Sequence, residues 1–140
     1  MRRSGRLVIL IAEDDPSDLF FLQKAFEEKC PGAEVRDVPD GQAAIEYLSG
    51  EGPYADRASF PLPACVLLDV KMPRRSGLEV LQWIREAEGL AQLSVTVLSG
   101  SELAQDMEQA RRLGAEYLVK PVRYADLLEL VERYCRRFER

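Results

Sequence analysis

Polar side chains follow four separate apolar runs of this 140-residue sequence. Each stands where its run ends, and together they offer carboxylates, a hydroxyl and an ammonium group. The sequence has no histidine, so any chemistry must use carboxylates, hydroxyls and lysine. The polar residues are Glu13, Asp14 and Asp15 after residues 7–12, Asp69 after 64–68, Ser99 after 94–98, and Lys120 after 116–119.

Two of these carboxylates, Asp14 and Asp69, would need a cation if the fold brought them together. At a separation of about 4 Å, two carboxylates repel by roughly 4 kcal/mol at an effective dielectric constant of about 20. Oxygen ligands without histidine or cysteine favour a hard ion, and two carboxylates completed by backbone and water suit Mg²⁺ better than Ca²⁺. The residue types therefore predict a magnesium site.

Lys120 and Ser99 add what a phosphoryl group needs. The lysine supplies a fixed positive charge, and the serine hydroxyl can donate to another phosphoryl oxygen. Phosphoryl transfer depends mainly on positioning and charge neutralisation, and an aspartate can serve as its nucleophile. Asp69 is the candidate acceptor.

The pattern of the sequence indicates how these residues would be positioned. Short apolar runs alternate with stretches of helical spacing, which is typical of a parallel sheet covered by helices on both faces. Ligands of such sheets bind beyond the carboxyl ends of the strands, where the polar residues lie. Asp15 and Pro16 predict one helix start, and Ser76 with Glu79 predicts a capping box at another. The predicted strands are 7–12, 33–38, 64–68, 94–98 and 116–119, and helices are predicted over 16–29, 77–87 and 124–138.

Size and composition predict one soluble domain over residues 1–140, with 1–6 as an N-terminal extension and 50–63 as a long loop before the third strand. A net charge of −5 gives no general support for binding nucleic acid or an anionic membrane. The N-terminal apolar run is too short for a signal segment or a membrane span. Three cysteines without CxxC spacing suit a reducing compartment. We therefore expect a cytoplasmic protein with no nucleic-acid or membrane partner.

Four segments of the sequence, "LIAEDDP", "LLDVKMPRRSG", "VTVLSGS" and "LGAEYLVKP", resemble the successive motifs of the response regulator receiver domain. They occur in the family's order and spacing and cover nearly the whole chain. The resemblance implies a flavodoxin-like α/β fold, a doubly wound (βα)5 three-layer sandwich whose parallel strands have the order 2-1-3-4-5. It also implies a two-component phosphoacceptor that receives a phosphoryl group on Asp69 from a sensor histidine kinase or a phosphotransfer protein.

The magnesium ligands of the family fall on particular positions of this sequence. The resemblance implies that Asp14, Asp69 and the backbone carbonyl of Lys71 hold Mg²⁺, with Glu13 acting through a water molecule. The side chain of Lys71 is also a flexible cation two residues beyond Asp69, where it could pair with a carboxylate or with the phosphoryl group.

The family's phosphoryl-binding and switch residues also have counterparts here. The resemblance implies that Ser99 and Lys120 bind phosphoryl oxygens. Ser99 and Tyr117 would form the switch that remodels the surface of the fourth helix, fifth strand and fifth helix, through which the protein signals to other proteins. From the residues alone, Tyr117 is equally consistent with a core position at a strand end.

The 50–63 segment, with "GPYAD", is similar to the loop of small stand-alone receivers that partner bacterial phytochromes and related sensor kinases. This likeness implies a phytochrome-type kinase as the partner. Those relatives often pair through the face of the fourth helix, fifth strand and fifth helix, which implies a homodimer. If Phe21 and Phe26 face the core, Leu19 and Phe20 lie toward solvent beside the acidic pocket, where a kinase could dock. Partial burial of this pair against the sheet edge is the alternative.

Three other functions compete with that of a phosphoacceptor. A phosphatase of the haloacid dehalogenase type would carry a second aspartate two residues after its nucleophile, where this sequence has Lys71. A flavin carrier would cradle phosphate after the first strand, where Glu13 and Asp14 would repel it. A constitutive interaction module would not need the polar residues that the sequence retains. We therefore expect a signalling protein rather than an enzyme.

Overall fold

Five parallel strands form one sheet in the order β2-β1-β3-β4-β5 in the computed structural model, which describes residues 6–100 and 102–138. This order confirms the predicted doubly wound, flavodoxin-like arrangement. The strands are β1 (Val8–Ala12), β2 (Glu34–Val38), β3 (Cys65–Leu68), β4 (Ser94–Ser99) and β5 (Glu116–Val119). The α-helices are α1 (Pro16–Lys29), α2 (Gly41–Ser49), α3 (Gly77–Glu86), α4 (Ala104–Arg112) and α5 (Tyr124–Arg136).

The central strands are buried and the edge strands are partly exposed. All four residues of β3 are buried, whereas all four residues of β5 are only partly buried. Helices cover both faces of the sheet, so a central strand appears in the sequence as a continuous apolar run without alternation. This explains why β1, β3 and β4 appear in the sequence as continuous apolar runs.

Side-chain caps fix the starts of α1, α2 and α3, and those of α1 and α3 were predicted. The Oδ1 atom of Asp15 accepts hydrogen bonds from the backbone N–H groups of Ser17 and Asp18 at the start of α1. Ser76 and Glu79 form the capping box predicted for α3. These caps satisfy N–H groups that have no partner within the helix, and they hold the loops that carry the polar residues.

Two apolar clusters fill the space on the two faces of the sheet. One cluster packs α2, α3 and α4 against the sheet and includes the fully buried side chains of Leu81 and Ile84. The other packs α1 and α5 against the opposite face, where the rings of Phe26 and Tyr134 meet edge to face with centroids 6.2 Å apart. The two clusters make the sheet a rigid base for the residues beyond its ends.

The predicted 50–63 loop is ordered against α2. It contains one turn of 3₁₀ helix, Gly52–Tyr54. Arg57 donates hydrogen bonds to the backbone carbonyls of Tyr47 and Leu48, in the last turns of α2, and to the carbonyl of Phe60. The last carbonyls of a helix lack partners within the helix. The guanidinium group supplies hydrogen bonds to these carbonyls of α2 and also holds the loop against the helix.

The predicted N-terminal extension is described only in part, and the predicted end of the last helix was wrong by two residues. Of the N-terminal extension 1–6, only Arg6 is described, and residues 1–5 lie outside the described residues. The last helix ends at Arg136, two residues before the predicted end, and residues 137–138 form a turn. Within residues 6–100 and 102–138, none of the helices has the length and apolar character needed to span a bilayer.

Candidate functional site

The carboxyl ends of neighbouring strands bring the polar residues to one end of the sheet. β1 and β3 are paired, and the backbone N–H of Asp69 donates to the carbonyl of Ala12 at 3.2 Å. β4 and β5 are paired, and the backbone N–H of Lys120 donates to the carbonyl of Ser99 at 2.9 Å. Residues that are far apart in the chain therefore surround one pocket.

Three carboxylates form an acidic group in this pocket. Each of Glu13, Asp14 and Asp69 offers an oxygen that lies within 4.8 Å of the oxygens offered by the other two. Glu13 and Asp69 are only 3% and 9% exposed, whereas Asp14 is open to solvent. Such closely spaced oxygen ligands, one of them reachable from water, fit a hard divalent cation such as Mg²⁺.

Lys120 inserts its ammonium group among the carboxylates. The Nζ atom lies 2.7 Å from Oε1 of Glu13 and 3.0 Å from Oδ2 of Asp69. It also lies 2.8 Å from Oδ2 of Asp18, in the first turn of α1. Asp18 was not predicted as a site residue. The feature of the sequence that could have indicated it is an acidic side chain one helical turn after Glu13, Asp14 and Asp15.

Burial and the contacts between Glu13 and Lys120 act in opposite directions on the pKa of each group. Removal from water raises the pKa of the Glu13 carboxyl from its ordinary 4.5 to about 7, although Lys120 acts in the opposite direction. Burial lowers the pKa of Lys120, but its hydrogen bonds to Asp18 and Glu13 outweigh that effect and raise the pKa. The ammonium group therefore keeps its charge, and it is shared among more carboxylates than it can neutralise.

Gly77 allows the loop after β3 to pack closely against Asp69. A Cβ atom on Gly77 would lie 1.9 Å from the backbone carbonyl oxygen of Asp69, so a larger residue would displace the backbone. The N–H of Gly77 donates to the carbonyl of Val70 at 2.9 Å. The loop held in this way carries Lys71, whose side chain is exposed.

The two candidate switch residues lie on adjacent strands. Ser99 is buried at the end of β4, where its carbonyl accepts a hydrogen bond from the backbone N–H of Lys120. Tyr117 is paired in register with Val97 and packs, partly buried, against the cluster on the α2, α3 and α4 side of the sheet. This packing agrees with the core interpretation of Tyr117, while its part in a switch stays a prediction.

On the outer face of α1, Phe20 is exposed as predicted, Leu19 fits the alternative of partial burial, and Phe21 differs from the prediction. Leu19 is partly buried against the core and Phe20 is 58% exposed. Phe21 was expected in the core, but it is 45% exposed and its ring centroid lies 5.7 Å from that of Tyr124 in α5. The expectation was wrong because α1 packs beside α5, so Phe21 lies at the seam between the helices and Phe26 faces the sheet.

A cavity of about 170 Å³ opens at this seam, beside the acidic group. Asp18 and Phe21 of α1 line one side, and Val122 and Tyr124 line the other. Lys120 contributes to its wall as well. Phe21, whose ring also contacts that of Phe20, therefore lines the same cavity as Lys120.

Comparison with known protein families gives a match over most of the chain. The family model described as the response regulator receiver domain matches residues 9–132. The matched segment includes all of the polar residues discussed above.

Several proteins of known structure resemble this chain. The crystal structure of the phosphorylated cyanobacterial phytochrome response regulator RcpA has a TM-score of 0.85 and 31% identity, over 92% of this chain and 91% of that chain. Response regulator RPA3017, in red light signalling of R. palustris, has a TM-score of 0.84 and 37% identity, over 91% and 90%.

A third relative is similar in sequence and in structure. Response regulator Rcp1 of Synechocystis is 31% identical over 126 residues, which are 89% of this chain and 84% of the relative. The crystal structure of the Mn²⁺-bound form of Rcp1 has a TM-score of 0.81 and 30% identity, over 91% of this chain and 90% of that chain.

Proposed function

This chain belongs to the response regulator receiver domain family, which acts in two-component signalling, and we propose that it accepts a phosphoryl group on Asp69. The observation that carries the proposal is the set of contacts around Asp69. Its carboxylate shares the ammonium group of Lys120 with Glu13 and lies in the acidic group that fits a divalent cation. A nucleophilic carboxylate beside a fixed positive charge suits phosphoryl transfer.

In the proposed transfer, one bond to phosphorus forms as another bond to phosphorus breaks. We propose a phosphohistidine of a sensor histidine kinase or a phosphotransfer protein as the donor. A carboxylate oxygen of Asp69 forms the new bond to phosphorus as the P–N bond to the imidazole breaks. The electron pair stays on the imidazole nitrogen, which takes up a proton, and Asp69 becomes an acyl phosphate. Lys120 and the hydroxyl of Ser99 are positioned at strand ends from which they can bind phosphoryl oxygens.

Four positions are proposed to hold Mg²⁺. They are Asp14, Asp69 and the backbone carbonyl of Lys71, with Glu13 acting through water. All of them offer oxygen, and the raised pKa of Glu13 marks a buried carboxylate without enough counter-charge. When bound, Mg²⁺ supplies positive charge that neutralises the phosphoryl oxygens and the carboxylates together.

Incubation of the whole chain with acetyl phosphate and Mg²⁺ tests this function. We expect a mass gain of one phosphoryl group, sensitive to hydroxylamine, in the wild type and none in Asp69→Asn. Asp37→Asn is the matched control because Asp37 is an exposed aspartate of β2. An equal gain in Asp69→Asn would exclude this residue as the acceptor. Sustained hydrolysis of a phosphate ester would instead favour a phosphatase.

We propose that phosphorylation is transmitted through Ser99 and Tyr117 to the face of α4, β5 and α5. Two apolar side chains of α4, Leu103 at its N-cap and Met107, are exposed on this helix. Such a surface suits a protein partner or a second copy of the chain. Sedimentation with and without beryllofluoride and Mg²⁺ tests the homodimer. A monomer under both conditions would exclude it.

We propose that the kinase docks on α1 through Leu19 and Phe20, with Phe21 and Val122 continuing the apolar surface. A phytochrome-type sensor kinase is the proposed partner because the chain is similar to phytochrome response regulators. A screen of candidate histidine kinases for phosphotransfer should identify it.

Phe20→Asp should slow transfer from that kinase at least tenfold and leave acetyl phosphate uptake unchanged, whereas Leu62→Asp, on the distant 50–63 loop, should slow neither. Unchanged transfer to Phe20→Asp would place docking elsewhere.

We also propose that residues 1–140 form a single receiver domain. The family match spans 9–132, and the described helices and strands account for the pairs of strand and helix that such a domain needs.

A further inference from the structure

The ammonium group of Lys120 uses its full hydrogen-bonding capacity. An ammonium group has three N–H donors. Nζ lies within 3.0 Å of an oxygen of each of three carboxylates, those of Glu13, Asp18 and Asp69. Lys120 is therefore held by three anchors, and each anchor accounts for one donor.

Asp18 differs from the other two anchors in its position. Glu13 and Asp69 belong to the acidic group that fits a cation, and Asp18 does not. Any cation held there draws on the oxygens of Glu13 and Asp69 and repels the ammonium group. Asp18 lies on α1 with its side chain 45% exposed, so it is the anchor that a cation in the acidic group would leave unchanged.

We propose that Asp18 is a positioning residue. When a cation draws on the oxygens of Glu13 and Asp69, Asp18 keeps the ammonium group of Lys120 beside Asp69. This inference rests on the proposed function of Asp69 as the acceptor. The stem of lysine is flexible, and the cavity beside Asp18 and Lys120 gives the ammonium group a route to water. Without Asp18, Lys120 spends less time where it meets the phosphoryl group.

A purely structural role for Asp18 predicts a different result. Asp18 is in the first turn of α1, where a negative charge stabilises a helix whatever Lys120 does. A positioning role requires Lys120, so the two effects separate when Asp18 is changed in the presence and in the absence of that lysine.

The rate of phosphorylation by acetyl phosphate and Mg²⁺ gives the first test. Asp18→Asn should slow the reaction roughly fivefold, the effect of losing one partly exposed ion pair. Asp18→Glu, which keeps the charge, should recover part of the rate. Glu27→Gln, the same change of charge at an exposed position of α1, should leave the rate unchanged. In the Lys120→Met background, Asp18→Asn should have no further effect.

Urea unfolding of the metal-free protein gives a second test, which needs neither metal nor phosphoryl donor. Asp18→Asn should lower the unfolding midpoint clearly more in the wild type than in Lys120→Met, where only the effect of its charge on the helix start remains. An equal effect of Asp18→Asn in both backgrounds, on rate or on midpoint, would overturn the positioning role. So would a rate equal to that of the wild type. If the wild type itself gained no phosphoryl group, the proposed function would fail, and the unfolding experiment alone would decide for or against the anchoring of Lys120.

Discussion

Two cationic side chains, one at each end of the sheet, are surrounded by different kinds of hydrogen-bond acceptor. At the carboxyl end, Lys120 is surrounded by carboxylates. At the amino end of β4 and β5, Arg85 in the last turn of α3 is surrounded by backbone carbonyls. Its guanidinium group donates to the carbonyls of Leu113, Leu93, Ala91 and Gly114, at 2.6, 2.7, 3.1 and 3.2 Å.

The two ends differ in what their acceptors can do, which suits packing at the amino end and the proposed chemistry at the carboxyl end. Carbonyls are neutral, and they cannot be protonated or react with phosphorus under ordinary conditions. The planar guanidinium group matches such fixed acceptors with several donors at once. Carboxylates can bind a proton, a metal ion or a phosphoryl group, so the contacts of Lys120 can be exchanged. In this molecule, Lys120 among three carboxylates marks the candidate site, and Arg85 among backbone carbonyls clamps the segments before β4 and β5.

The largest effect on stability is expected at the amino end. Arg85→Met should lower the free energy of unfolding by about 2 kcal/mol, because several partly buried carbonyls lose a charged donor. Phosphoryl uptake per folded molecule should not change. Urea denaturation and mass spectrometry measure the two quantities. Arg112→Met is the control, since Arg112 is a largely exposed partner of Glu108 in α4 and should change stability by less than about 0.5 kcal/mol. A loss of phosphoryl uptake in folded Arg85→Met would contradict a purely structural role for the amino end of the sheet.

A smaller effect, on the order of 1 kcal/mol, is expected from the proton of Glu13. Its pKa is about 7 in the folded protein and 4.5 ordinarily, so the folded state holds the proton more tightly. The stability that this group contributes is complete below about pH 4.5 and is lost as the pH rises through 7. The unfolding free energy of the metal-free wild type should therefore fall relative to Glu13→Gln between pH 4.5 and 7.5. Parallel curves for the two proteins would mean that Lys120 already neutralises Glu13.

The smallest effect is expected at Asp14, which is exposed. Without metal, Asp14→Asn should raise the unfolding free energy by about 0.5 kcal/mol, because it removes a repelling charge from the acidic group. With millimolar Mg²⁺ the order should reverse, since the wild type gains the binding energy of the ion and the variant does not. Thermal unfolding with and without Mg²⁺ measures both. Asp37→Asn should respond to Mg²⁺ as the wild type does, and an equal response of Asp14→Asn would remove Asp14 from the metal site.

Much of the fold was predictable because local signals and burial agree. β5 matches its predicted bounds, and the starts of α1 and α3 follow from their capping residues. Continuous apolar runs mark the central strands, and the rule that ligands bind beyond the carboxyl ends of parallel strands led to Asp14, Asp69 and Lys120.

The features that were missed depend on how elements pack rather than on local pattern. Phe21 has the spacing of a core residue, but its environment is set by α5, which lies beside α1. Asp18 and Arg85 look like ordinary charges of exposed helix positions in the sequence. Their roles depend on partners as far as 102 and 29 positions away, which periodicity cannot reveal.

The pairing of β5 with β4 also brings Lys120 to the acidic group. Lys120 lies 107 positions from Glu13 and 51 from Asp69, and contacts so distant in sequence form late because closing long loops costs entropy. During synthesis, the chain therefore contains Glu13 and Asp69 before it contains Lys120, the cation that partly neutralises them. Until β5 pairs with β4, the carboxylates of Glu13 and Asp69 therefore lack the ammonium group that they share in the folded protein.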